Sequence, residues 1–293
     1  MQPDPLAHAV DEAIAGRRGS LFDLLARGSR LPGPRANSAL AEAFAQVCRS
    51  RGAPADRVAL AMARLTADEA PGATALEFLP TCGVGALAAR AAADATVRAA
   101  TVAELHALAD DLRFRVREAV VHGLARMGSA AGDALVEETA SWMDGYFHAA
   151  AVVRAIACEP WLTQLHAPDG ALRRLDEAFE LARQAPRAAA RYPGHKALLE
   201  AIEQATPRVA LRFGVSAFAL VDRWATVKDP VLRELVAALL ADRKLAGRFR
   251  SELDKVGRTL AATAPPPRNP DHDHGPSRDR SGGKPGSRRK RRR

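Results

Sequence analysis

Apolar residues recur along most of the chain with the period of an α-helix. Leu172, Leu175, Phe179 and Ala182 stand at i, i+3, i+7 and i+10, the spacing of a single helical face. Leu232, Leu235, Val236, Leu239 and Leu240 form a broader stripe of the same period, as a helix packed on more than one neighbour requires. Breaks rich in Gly and Pro separate these segments. They fall at residues 28–34 (GSRLPGP), Pro54, Pro71 with Gly72, Gly128, Gly145, Pro160, Pro168 with Gly170, Pro193 with Gly194, and Pro230. Their spacing predicts helices of about 10–18 residues. No segment reads as a strand, and the short connections predict antiparallel neighbours, a succession of helical hairpins.

Composition sharpens this picture. Of the 293 residues 47% are hydrophobic but only 5% aromatic, so each buried position removes little area from water and many must be buried together. Ala and Leu dominate, and both are strong helix formers. A hairpin with Ala-rich faces is too small to stand alone, whereas a row of hairpins shares each face between neighbours. The expectation is an all-α protein, an α-solenoid with one continuous core.

Residues 108–128, LADDLRFRVREAVVHGLARMG, resemble the signature half of a HEAT repeat. An acidic turn (Asp110, Asp111) leads into Val116 and Arg117, then a small-residue helix with Ala119, Leu124 and Gly128. The resemblance implies that Val116 enters the core and that Asp111 and Arg117 bridge neighbouring repeats. Residues 229–240, DPVLRELVAALL, are similar, with Asp229 and Arg233 in the corresponding roles and Leu232 in place of the usual Val. The two arginines are separated by close to three repeats of roughly 40 residues. Residues 38–263 are thereby expected to form the HEAT-like domain, residues 1–37 an N-terminal helical cap and loop, and residues 264–293 a tail.

The tail changes the meaning of the net charge of +9. From Pro265 onward ten Arg/Lys face three Asp, so +7 lies there and only +2 belongs to the body. Its Pro, Gly, Asp, His and Arg composition offers almost no apolar surface to offset ordering entropy, which predicts disorder. It ends in Arg288, Arg289, Lys290, Arg291, Arg292 and Arg293, a run that attracts polyanions through counterion release without reading sequence. Nucleic acid leads as ligand, with anionic lipid, an acidic protein or a purely solubilising role as the other readings. No aromatic residue interrupts the tail to offer a base-stacking platform.

Little in the sequence carries catalytic chemistry. GxSxG, Walker A, HExxH and paired CxxC motifs are absent, and no cofactor or metal is expected. His272 and His274 sit in a linker with no frame to preorganise them as ligands, and His122 reads as a helix-face residue. Cys82 lacks a basic neighbour that would activate it and reads as a buried thiol. The odd set Cys48, Cys82 and Cys158, with no export signal in the first twenty residues and no stretch long enough to span a bilayer, points to a cytoplasmic protein. Trp142, Met143 and Asp144 touch on another resemblance. DNA-alkylation-repeat glycosylases are HEAT-like and use Trp and Asp in a concave cleft, although Trp142 reads more simply as packing, as do Trp161 and Trp224. Two functions follow: a non-enzymatic scaffold or adaptor that binds a protein partner through its helical surface, or a nucleic-acid-binding, alkylation-repeat-like repair protein.

Overall fold

The computed structural model describes residues 4–264, and among them every regular element is helical. Sixteen α-helices follow in order: α1 (Pro5–Ile14), α2 (Gly19–Gly28), α3 (Ser38–Arg51), α4 (Ala53–Ala63), α5 (Phe78–Ala93), α6 (Arg98–Ala109), α7 (Phe114–Ala131), α8 (Asp133–Glu138), α9 (Tyr146–Ile156), α10 (Glu159–Leu162), α11 (Pro168–Arg183), α12 (Pro193–Phe213), α13 (Val215–Trp224), α14 (Pro230–Leu240), α15 (Arg243–Arg248) and α16 (Arg250–Ala262). None is long and apolar enough to cross a membrane.

The prolines that punctuate the sequence mostly open helices. Pro5, Pro54, Pro160, Pro168, Pro193 and Pro230 all lie in first turns, where the missing N–H is not needed and the fixed φ suits the helix. Asp4, Asn37, Asp229 and Asp242 cap α1, α3, α14 and α15 through side-chain oxygens that accept backbone N–H groups. This arrangement satisfies donors that the first turn leaves free. Gly128, read from sequence as a break, lies inside α7. Pro207 likewise sits within α12, which runs for 21 residues, longer than the breaks suggest.

The uncharged stretch 78–89 falls in α5, which is buried nearly all round by α3, α4 and α7. From there contacts pass from α7 to α9, from α9 to α12, and through α13 and α14 to α16. Two apolar clusters result, where the sequence suggested one continuous core. The first runs from Leu6 to Ala171 and the second from Ala149 to Val256. They meet at α9, whose Val152, Ala155 and Ile156 join the first while Ala149, Ala150 and Val153 join the second. α1 and α2 contribute Leu6, Val10, Leu21 and Leu25 to the first cluster. In the stripes seen in the sequence, Leu175, Phe179, Ala182, Leu232, Val236 and Leu239 are buried.

Candidate binding groove

Small side chains on α3, α5 and α7 leave a groove between these helices. A cavity of about 540 Å³ is floored by Ala41, Ala45, Gly85, Ala88, Ala119 and Gly123, within the size range of binding sites for small molecules and short segments. A second hollow of about 340 Å³ lies over α7, α9 and α12, with Phe147, Ala150 and Ala197 in its lining. Phe114 and Glu118 line both, so the two adjoin. Phe114 is 61% exposed, which puts large apolar surface at the junction.

The charges along the groove are paired across helices. Arg126 on α7 makes a two-pronged contact with Glu42 on α3, Nη1 to Oε2 at 2.6 Å and Nη2 to Oε1 at 2.9 Å. The Arg126 hydrogen bonds hold the Glu42 carboxyl below the usual range against the opposing effect of burial. Arg154 on α9 grips both carboxylate oxygens of Glu118 on α7, and that hydrogen bonding raises the Arg154 pKa. Arg115 lies 3.5 Å from Glu77 and donates to the Gly33 carbonyl at 3.0 Å. The groove is therefore apolar in its floor and close to neutral at its rim. His122 is an exposed residue of its lining.

The residues marked by the HEAT resemblance sit beside this groove or at the end of the body. Val116 is fully buried. Asp111 pairs with Arg113, Oδ2 accepting from Nη2 at 2.6 Å and Oδ1 from Nε at 2.9 Å. Arg117 instead donates to the carbonyls of Asp111 and Leu112 and lies over the Phe147 ring at 4.3 Å. Asp229 caps α14 by accepting from the N–H groups of Val231 and Leu232. Arg233 ties α14 to the end of α16, donating to Thr263 Oγ1 at 2.8 Å and the Leu260 carbonyl at 2.6 Å. Arg288, Arg289, Lys290, Arg291, Arg292 and Arg293 lie outside the described residues, as do His272 and His274.

Cys48 and Cys82 are buried. Burial pushes the Cys48 thiol up to about 12 and Cys82 well above its ordinary value, which suppresses the thiolate that reactivity needs. Trp142, Trp161 and Trp224 are all buried. Asp144, by contrast, reaches the surface beside two histidines that sequence reasoning passed over. His106 Nε2 lies 3.0 Å from Asp144 Oδ2, and His148 Nδ1 lies 3.0 Å from Asp144 Oδ1. The Asp144–His148 spacing of one helical turn was visible in the sequence; that His106 joins them from α6 was not.

Compared with models of protein families, with curated proteins and with solved structures, the chain matches none of them.

Proposed function

We propose that the helical body is a non-enzymatic scaffold or adaptor module of HEAT-like, solenoidal build, and that its groove receives an apolar segment of a protein partner. The observation that carries this reading is the groove itself: an Ala/Gly floor, an exposed Phe114 and a rim whose charges cancel in pairs. Such a surface suits a protein segment, whereas nucleic acid calls for a net positive field. The repeat reading draws support from the spacing of the contacts between helices. Arg51 pairs with Asp11, Arg64 with Glu104 and Arg98 with Glu138, each across 40 positions. A stack of hairpins about 40 residues long places equivalent positions side by side in this way. The repair reading needs Trp142 facing a basic groove, and Trp142 is 1% exposed.

Gly85 offers a clean test, because an added Cβ there meets nothing within 4 Å. A Gly85→Glu substitution starts from a Cβ in open space and projects a charged side chain into the groove, with the gain in helix propensity set against placing a carboxylate there, so its melting temperature is expected to stay near that of the parent. With a photo-crosslinking phenylalanine analogue at position 114, the parent should give discrete protein adducts in cells. The same analogue at Asp23, an exposed residue of α2, should give none. Adducts that persist after Gly85→Glu would refute the groove as the docking surface.

The basic tail would add weak, salt-sensitive attachment to nucleic acid or another polyanion. Six terminal cations predict a slope of about −4 for log affinity against log salt on single strands, a loss on the order of a hundredfold between about 50 and about 200 mM. Filter binding should show that slope with the full chain and near-zero binding after truncation at Ala264. An unchanged affinity in the truncated protein would move polyanion binding to the body.

A further inference from the structure

We propose that His106, Asp144 and His148 form a site for one divalent transition-metal ion of the zinc class, with a coordination position left open to solvent. The three residues come from separate elements: His106 from α6, Asp144 from the 3-10 turn Ala140–Asp144, and His148 from the first turn of α9. Their donor atoms all lie within 4.8 Å of one another. His106 Nε2 stands 3.0 and 3.2 Å from the two Asp144 oxygens, and His148 Nδ1 is 3.0 Å from Asp144 Oδ1. Zinc bonds of about 2.0–2.2 Å place tetrahedral donors roughly 3.3 Å apart, close to the His–Asp separations here, and binding requires the two stacked rings to tilt toward a common ion.

The feature that separates this cluster from an ordinary histidine–carboxylate hydrogen bond is His148 Nδ1. It is shielded from solvent and, despite its approach to Asp144, makes no hydrogen bond of acceptable geometry. A buried nitrogen without a partner is an energetic liability, and a metal ion removes it. The space at this nitrogen is preserved by Gly145, where a Cβ would stand 2.6 Å from Nδ1. The rings of His106 and His148 stack at 4.0 Å and 18°, which directs both nitrogens at one carboxylate. Trp142 holds them from behind, edge-on to His106 at 5.1 Å and to His148 at 6.3 Å. Such a packed apolar shell fixes ligand orientation.

The donor set decides the class of ion. Calcium and magnesium take oxygen ligands, whereas two imidazoles and one carboxylate suit Zn²⁺ and its neighbours Co²⁺, Ni²⁺ and Cu²⁺. Asp144 has half its side chain exposed and His106 nearly a third, so the fourth position faces water. The bound ion would join α6 to the start of α9.

The test uses the full chain carrying His272→Ala and His274→Ala, which removes the tail imidazoles as competitors. Titration calorimetry with zinc chloride is expected to show one equivalent bound, with a rise in melting temperature. Asp144→Asn and His106→Gln, both close in shape to the parent residues, should each weaken zinc at least tenfold and abolish that rise. Their metal-free melting temperatures should stay near the parent's. His166→Gln, at an exposed histidine elsewhere, should change nothing. Absence of zinc binding to the parent overturns the site, as does full affinity retained by either ligand variant.

Discussion

Replacing Arg113 with methionine is expected to destabilise the fold by about 3–5 kcal/mol, the range for removing one partner of a buried charged network. Arg113 is 5% exposed. Its guanidinium holds both oxygens of Asp111 and donates to the carbonyls of Leu65 at 2.7 Å, Thr66 at 3.1 Å and Ala70 at 3.0 Å. It thus locks the α6–α7 turn to the segment that follows α4. Methionine keeps the length of the stem but takes the guanidinium from the Leu65 and Ala70 carbonyls and from a partly buried carboxylate, which retains only the backbone N–H of residue 113, while the Thr66 carbonyl still accepts from the Ala70 N–H. The melting temperature should fall by roughly 10 °C for a body of this size. Arg117→Met should cost about 1–2 kcal/mol, because Arg117 is half-buried, its donations stay within its own turn and its contact with α9 is the stack on Phe147. Equal losses in urea unfolding would contradict this assignment. The pH dependence supplies a second check. Burial pushes the Asp111 pKa up, but hydrogen bonds from Arg113 outweigh it and hold the group below 3.8. A carboxylate with a depressed folded pKa contributes stability above its unfolded pKa and loses it as pH falls through the folded value. The gap between parent and Arg113→Met should therefore narrow as pH drops below about 4.

The contrast between Arg113 and Arg117 shows where the sequence runs out. A motif names positions along one helix, and it pointed to Asp111 and Arg117 as the bridging pair. Which guanidinium reaches the neighbouring segment depends on how α4 and α7 are set against each other, and periodicity carries no information about that. The helices themselves were legible because Ala and Leu favour them at almost every position, and first-turn prolines mark their starts. The groove was not legible. It exists because Ala41, Gly85 and Ala119 leave space at the same place on three helices, and each of these residues in isolation is an ordinary small helix residue. The three-residue cluster shows the same limit: Asp144 and His148 share a one-turn spacing, but His106 enters from 38 positions upstream. Trp142 was readable as packing, and its burial is what brings a rigid wall to that cluster.

Gly128 was the other misreading, and it leads to the second large effect. Within α7 it is buried, and an added Cβ would collide with the indole of Trp161, three of whose ring carbons lie nearest. Trp161 cannot step aside: it is fully buried, and its Nε1 donates to the Gly132 carbonyl at 3.0 Å. Gly128→Ala is therefore expected to destabilise by about 3 kcal/mol, the upper part of the usual overpacking range. This occurs although alanine is the better helix former by roughly 1 kcal/mol. Trp161→Ala attacks the same contact from the other side, leaving a cavity where α10 meets α7, and should cost about 3–5 kcal/mol. The two losses share one cause, so they should not add. In Gly128→Ala with Trp161→Ala the new methyl enters vacated space. The double variant is expected to be at least 2 kcal/mol more stable than the sum of the single losses predicts, a coupling of the size seen for residues in direct contact. Additive losses in denaturant unfolding would mean that the indole relaxes away from Gly128, and the close approach of α10 to α7 would then owe nothing to the missing side chain.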